Sequence, residues 1–257
     1  VTARRALVTG ASRGIGAAVA LALAEAGHTV VAASRDRAGL QAVAEQAAAG
    51  PGSVLPVPAD MDDLAAAAAL PGAAAEAAGG PIEIFVHCAG IARPAPVVGI
   101  DLADWDTVLR VNLTSAMVIS QQVLPPMAAA GWGRVVVIGS LYSRTGGKFS
   151  GAYAVSKHGL LGLARVIATE FAAKGVTANA VIPGWTDTEM VAGEARNVAE
   201  ARGVSADAAV KLFLRGQPIG RLIEPAEIGA MVAFLAGEQA GAITGQAFNV
   251  DGGSLQS

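Results

Sequence analysis

A short apolar run, Arg5-Ala-Leu-Val-Thr9, passes directly into Gly10-Ala-Ser-Arg-Gly14-Ile-Gly16 and then into helix-forming sequence from Ala17 to Ala26. That order predicts a buried strand, a tight glycine turn and a helix. Gly10 suits the turn, Gly14 lets a pyrophosphate approach the backbone, and Gly16 allows the helix to pack close to the strand. The helix would present free N–H groups and a partial positive charge to the phosphates. The spacing is Gly-x3-Gly-x-Gly, so a plain strand–helix connection is the competing reading.

Strand-like runs recur near 5–9, 29–33, 54–58, 82–87, 134–138, 176–182 and 246–250, with helical stretches between them. Such alternation predicts an α/β fold, a doubly wound parallel sheet of seven strands with helices on both faces. Alanine-rich sequence from Ala65 to Ala78 reads as a surface helix interrupted near Pro71-Gly72. No linker or internal repeat divides the chain, so 1–257 is taken as one domain. Residues 189–217 break the pattern. They are helical and polar, with Gly193, Gly203 and Gly216 as candidate hinges, and read as a lid over a substrate.

Tyr153 and Lys157 stand four apart in a helical stretch, so their side chains share one face. A tyrosine has a reference pKa of about 10, and a nearby ammonium lowers it. Each unit of lowering is worth about 1.4 kcal/mol in favour of the phenolate. The pair alone would more often be a tyrosine packed under a solvated lysine. The glycine turn elsewhere in the chain changes that balance.

The second strand-like run, His28-Thr-Val-Val-Ala-Ala33, ends in Ser34-Arg35. An acid at this strand end would hold a ribose 2′-hydroxyl, whereas an arginine would accommodate a 2′-phosphate. Ser34, Arg35 and Arg13 from the glycine turn form a candidate phosphate clamp, which predicts NADP(H). Asp36 follows at once, and a small shift of alignment would make it the acid that selects NAD(H).

With these residues in view, the chain resembles the short-chain dehydrogenase/reductase family along nearly all its length. Thr9 to Gly16 looks like the family's cofactor loop, with Ser12 and Ile15 inside it. Asp60, followed by Met61, looks like the adenine-contacting acid, and His87-Cys88-Ala89-Gly90 stands where Asn-Asn-Ala-Gly is usual. Asn112, Ser140, Tyr153 and Lys157 resemble the catalytic set, and Pro183-Gly184 with Thr186 and Thr188 resembles the nicotinamide loop. The resemblance implies a single-domain Rossmann fold and a ketone–alcohol oxidoreductase. It further implies that Lys157 holds the nicotinamide ribose and that Asn112 anchors a proton-carrying water chain.

The residue types fit that chemistry. Hydride addition to a carbonyl builds negative charge on oxygen, which Ser140 can hold while Tyr153 donates a proton. Ser143 is the competing serine. Ser140 is preferred because it follows the run Arg134–Ile138 at the carboxyl end of a predicted strand. Cys88 is the only cysteine, read as a small buried residue, and His28, His87 and His158 form no ligand cluster, so no metal is expected. A catalytically silent scaffold on the same fold is the contrary class. The intact set of four argues against it.

Composition sets outer limits. A net charge of −3 argues against a nucleic-acid groove. The chain enters its first strand without a signal-peptide pattern, and one cysteine suits the cytoplasm. No uncharged apolar run of about 18 residues suggests a membrane span. Hydrophobic residues make up 53% and charged residues 15%, which predicts surface buried between subunits. Stretches near 104–128, 152–173 and 225–236 with the last strand would form the interfaces, and the resemblance supplies a homotetramer. Ala92, Tyr142, Trp185, Met190 and Phe213, with Ser140, would form an apolar substrate pocket. By resemblance, a clamp for free hydroxybutyrate would draw on positions near 92, 142 and 150, where this chain has Ala92, Tyr142 and Ser150, none cationic, although Arg93 and Lys148 are close. Basic residues for a carrier protein are sparse: Met127–Gly131 carries none before Arg134, and Lys174 at the next helix end is the one clear candidate. A small ketone or an acyl-CoA thioester is therefore preferred, with a NAD-using hydroxyacid dehydrogenase as the alternative.

Overall fold

The computed structural model describes residues 2–256. In chain order these form β1 (Arg5–Thr9), α1 (Gly14–Glu25), β2 (Thr29–Ser34), α2 (Arg37–Ala47), β3 (Ser53–Pro58), α3 (Leu64–Ala77) and β4 (Ile84–His87). There follow α4 (Leu102–Leu109), α5 (Ser115–Ala130), β5 (Gly133–Ile138), α6 (Gly151–Phe171) and β6 (Val176–Pro183). The chain closes with α7 (Glu189–Arg202), α8 (Ala206–Leu214), α9 (Pro225–Ala236) and β7 (Ala247–Val250). All strand pairs are parallel, in the order β3-β2-β1-β4-β5-β6-β7. The order reverses between β1 and β4, which opens a crevice at the carboxyl ends of those strands.

Both sheet faces are covered, so the strands are apolar on both sides. Alternation along β1 divides the core. Ala6 and Val8 join Val30, Ala32, Val19 and Leu23 on the side of α1. Leu7 joins Val31, Ala33, Phe85 and Ile119 on the other side. Phe85 is fully buried, and its truncation to Ala would cost about 3–5 kcal/mol.

The expected break in the alanine-rich helix is absent. α3 runs unbroken through Pro71. Pro71 gives up one backbone bond, but it is buried with Ala67, Leu70 and Ala74 on the face turned to α5. Asp63 offsets part of that loss by accepting from the N–H groups of Ala65 and Ala66. Between α4 and α5 the helix widens into a π turn over Arg110–Thr114, closed by the Ser115 N–H donating to the Arg110 carbonyl.

The segment 189–217 is a helical hairpin of α7 and α8. Gly203, with φ of 66°, makes its turn. Gly193 lies inside α7 and is no hinge, a correction of the sequence expectation. Thr188 and Ser205 cap the two helices through Val191 N–H and Ala208 N–H. Among the described residues no helix is long and apolar enough to cross a membrane.

Candidate active site

The glycine turn sits at the mouth of the crevice. A Cβ on Gly10 would lie 2.8 Å from the Ala89 backbone, and one on Gly16 would lie 2.1 Å from the Gly10 carbonyl oxygen. The turn is thus pressed against the end of β4, and α1 against the turn. Arg13 occupies the N-cap of α1 with an extended backbone and makes no side-chain cap, so the first-turn N–H groups remain directed at the crevice. The Arg13 guanidinium instead pairs with Glu189 of α7 at 3.1 Å.

At the end of β2, Ser34 donates to the Ser12 hydroxyl at 2.9 Å. Arg35 reaches across to Asp60 at 3.7 Å, and Met61 is buried beside them. Asp36 is the N-cap of α2, where its carboxylate accepts from the Gly39 N–H at 3.0 Å. One oxygen of its carboxylate thus caps the helix, and Ser34 stands at the strand end as expected.

The His-Cys-Ala-Gly segment forms a closed network. The Thr9 hydroxyl accepts from the N–H groups of Cys88 and Ala89, each at 3.2 Å. It stands 3.1 Å from His87 Nδ1, while His87 Nε2 stands 3.1 Å from the Asn112 carbonyl. A carbonyl only accepts, so Nε2 carries the proton and the Thr9 hydroxyl donates to Nδ1. Burial, followed by the charge of Lys157, pushes the His87 pKa down to about 3, so the ring is neutral. Burial pushes the thiol of the half-buried Cys88 up to about 12, so it is protonated at neutral pH.

Asn112 lies in the π turn with both ends of its side chain engaged. Its oxygen accepts from Ile91 N–H at 2.8 Å, and its nitrogen donates to the Ile91 carbonyl at 2.9 Å and to Ser156 at 3.0 Å. Ser140 follows β5 directly, and its hydroxyl accepts from Tyr142 N–H at 3.2 Å. Ser143 is spent on local structure, since its buried hydroxyl accepts from Ser140 N–H at 3.1 Å.

Tyr153 and Lys157 project from the first turns of α6. Burial raises the Tyr153 pKa, and its hydrogen bond with the Ser140 side chain pulls the other way. Lys157 is 4% exposed, and its amine donates to the Ile138 carbonyl at 2.8 Å. It stands 5.6 Å from the centre of the tyrosine ring, and burial lowers its own pKa to about 8. The structure therefore departs from the expected lowering of Tyr153 by Lys157. Burial dominates at the phenol, while the Lys157 amine is turned to a backbone carbonyl.

Around this centre, Tyr142 meets Tyr153 edge-on with ring centres 6.3 Å apart. Trp185 stacks on Phe213 of α8 at 4.2 Å, bringing the segment after β6 and the second helix of the hairpin together. Ala92 is exposed at the rim, and Met190 stays 47% exposed in the first turn of α7. Pro183 ends β6, Gly184 N–H donates to the Val250 carbonyl, and Thr186 and Thr188 bond back to the same loop. Two features escape sequence pattern. Phe149 has φ of 63° and is 56% exposed, and nothing in its neighbours signals this. Gln217 is fully buried, although a glutamine beside a proline reads as loop.

Residues 10–254 match a family model described as enoyl-(acyl carrier protein) reductase. The chain belongs to the short-chain dehydrogenase/reductase family. It is thus an oxidoreductase by family. It is 37% identical to a 3-oxoacyl-[acyl-carrier-protein] reductase of Pseudomonas aeruginosa over 98% of this chain and 97% of the relative. Identity to a D-beta-hydroxybutyrate dehydrogenase of Cupriavidus necator is 36%, over 97% of each chain. Among solved structures, an actinorhodin polyketide ketoreductase variant with NADPH superposes with a TM-score of 0.93 at 33% identity, over 98% of this chain and 97% of that one.

Proposed function

We propose that this short-chain dehydrogenase/reductase interconverts a ketone and a secondary alcohol with NADP(H), acting on a 3-oxoacyl thioester of the coenzyme A type or a bulky or cyclic ketone. The observation that carries the reading is the meeting of Ser140 and Tyr153, flanked by Lys157 and Asn112, beside an uncapped helix N-terminus at the strand switch point. The uncapped first turn of α1 and the close-packed glycines fit a dinucleotide pyrophosphate. Ser34 and Arg35 at the end of β2 support a 2′-phosphate, and Asp36 spends one carboxylate oxygen on the N-cap of α2, whereas Arg13, the third expected member of the clamp, is paired with Glu189.

The bound nicotinamide would supply hydride to the carbonyl carbon, or take it back in the reverse direction. Ser140 donates to the carbonyl oxygen, and the Tyr153 phenol delivers the proton as charge develops there. The raised Tyr153 pKa keeps that proton in place at neutral pH, which suits reduction. Lys157 orients the cofactor ribose. Asn112 holds Ile91 and Ser156 in place through its side chain, and His87 takes one lone pair of its carbonyl, leaving the other for a relay water.

Substrate follows from the rim. Arg93, a candidate clamp for a free carboxylate, is engaged by Asp104. Arg134 in β5 is 3% exposed, which leaves the exposed Lys174 as a single cation, too sparse a patch for an acidic carrier protein. Tyr142 and the Trp185–Phe213 stack suit a bulky apolar group. We further propose a homotetramer, supported by exposed Met117, Val155 and Val166 on the long helices and Phe234 on α9. A steady-state screen of NADPH and NADP+ against β-keto thioesters, cyclic ketones and secondary alcohols tests the reading. Turnover of none of them, or of free 3-hydroxybutyrate with NAD+ alone, would overturn it.

A further inference from the structure

Trp185 is held twice by one short stretch of the lid. Phe213, in the last turns of α8, stacks on its indole with an interplanar angle of 10°. Four residues on, Gln217 grips its backbone. The Gln217 side-chain oxygen accepts from Trp185 N–H at 2.7 Å, and its nitrogen donates to the Trp185 carbonyl at 3.2 Å and to the Arg221 carbonyl at 2.6 Å. A side-chain amide that pairs with both ends of one residue acts as a stand-in peptide. It continues the ladder of backbone bonds formed on one side by Gly184 with Val250 and on the other by Ile223 with Trp185 and Asp187. Gln217 is fully buried, and a Cβ on Gly184 would come within 2.5 Å of its oxygen, so the amide lies flat against the loop. A buried polar group this completely paired fixes its surroundings, because each lost partner leaves an unsatisfied group.

Resting on the NADP(H) reading above, we propose that Gln217 is a positioning residue. Through Trp185 it presets the loop Pro183–Thr188 for the nicotinamide, so that lid and loop answer that half of the cofactor as one body. The adenine half is held at Ser34, Arg35 and the glycine turn, which meets the lid at the Arg13–Glu189 pair at the start of α7 and takes no part in the Gln217 contact.

The inference separates two ligands. NADPH carries the nicotinamide, and 2′-phospho-ADP-ribose lacks it. In Q217M, which keeps length and loses all three bonds, NADPH binding measured by calorimetry weakens about tenfold. Binding of 2′-phospho-ADP-ribose stays within about twofold of wild type. Q217E, which can accept from Trp185 N–H but faces two carbonyls with a carboxylate, shows the same split. In the wild-type protein, hydrogen exchange slows at 185–188 and across 206–217 together with NADPH, and at neither with 2′-phospho-ADP-ribose. The exchange measurement stands even if both variants fail to fold. Equal weakening of both ligands, unchanged binding of both, or protection of the loop without the lid overturns the inference alone. A wild-type protein that binds neither ligand overturns the cofactor reading, and the inference with it.

Discussion

Replacing His87 by Asn tests the buried network that ties β1, β4 and the π turn together. The wild-type ring joins the Thr9 hydroxyl to the Asn112 carbonyl at 3.1 Å on each side. The shorter amide cannot span both, and each buried group left unpaired costs about 1–3 kcal/mol at neutral pH. The more telling effect is on pH dependence. The folded-state pKa is about 3, against an unfolded value of 6.5. At pH 7 and above, both states hold a neutral ring and the contribution of the network is complete. As the pH falls below 6.5, the unfolded chain takes up a proton that the folded chain refuses until about pH 3. Stability therefore drops by about 1.4 kcal/mol per pH unit, or about 2 kcal/mol between pH 7 and pH 5. The H87N variant lacks this component, whereas His28, His158 and all carboxylates are common to both proteins. Urea unfolding of both proteins at pH 7 and pH 5 gives the comparison. The wild-type advantage should shrink by about 2 kcal/mol at the lower pH. A gap that stays constant would mean that folded His87 accepts a proton, and the neutral, doubly engaged ring would have to be abandoned.

Four further outcomes are expected. Y153F removes only the phenolic proton, so it should fold, bind cofactor and lose about 10²–10⁴ in turnover; retention of more than about a tenth of activity would reject Tyr153 as the acid. R35A should weaken NADPH by about 1.5–3 kcal/mol and leave NADH nearly unchanged, whereas equal catalytic efficiency with both cofactors in the wild type would contradict the clamp. G16A places a methyl 2.1 Å from the Gly10 carbonyl oxygen, and since backbone must move, cofactor affinity and melting temperature should fall together; a variant with wild-type NADPH affinity would show that the turn tolerates the shift. Light scattering at micromolar concentration should give four times the chain mass of 25.5 kDa, and a monomer would refute the two proposed interfaces.

Much of this was legible because periodicity and chemistry coincide. The apolar runs of β1 and β5 are buried on both faces, so they carry their own signal without help from neighbours. Tyr153 and Lys157 were found through helical spacing, which fixes a shared face before any tertiary contact exists. What spacing leaves open is the direction in which a polar end turns. Lys157 had a tyrosine and a backbone carbonyl within reach, and the carbonyl of Ile138 took the amine. Asp36 read equally well as a ribose ligand or a helix cap until the Gly39 N–H claimed it. Pro71 looked like a break because local propensity takes no account of burial against α5. Gln217 lies 32 residues from its main partner, and no local pattern announces so distant a bond.

The π turn has a consequence for how such a chain can change. One extra residue in a helix rotates everything after it by about 100°. α4, before the turn, packs on α6, while α5, after it, buries Ile119, Val123 and Met127 and meets α3. Loss of a single residue between Arg110 and Thr114 would restore an ordinary helix with no broken backbone bond, yet it would swing one of those two faces into solvent. Mutation can therefore exchange side chains here one at a time, Asn112 apart, but cannot shorten the stretch in one step. The widened turn behaves as a ratchet, and a descendant of this chain would keep its length there long after its other side chains had drifted.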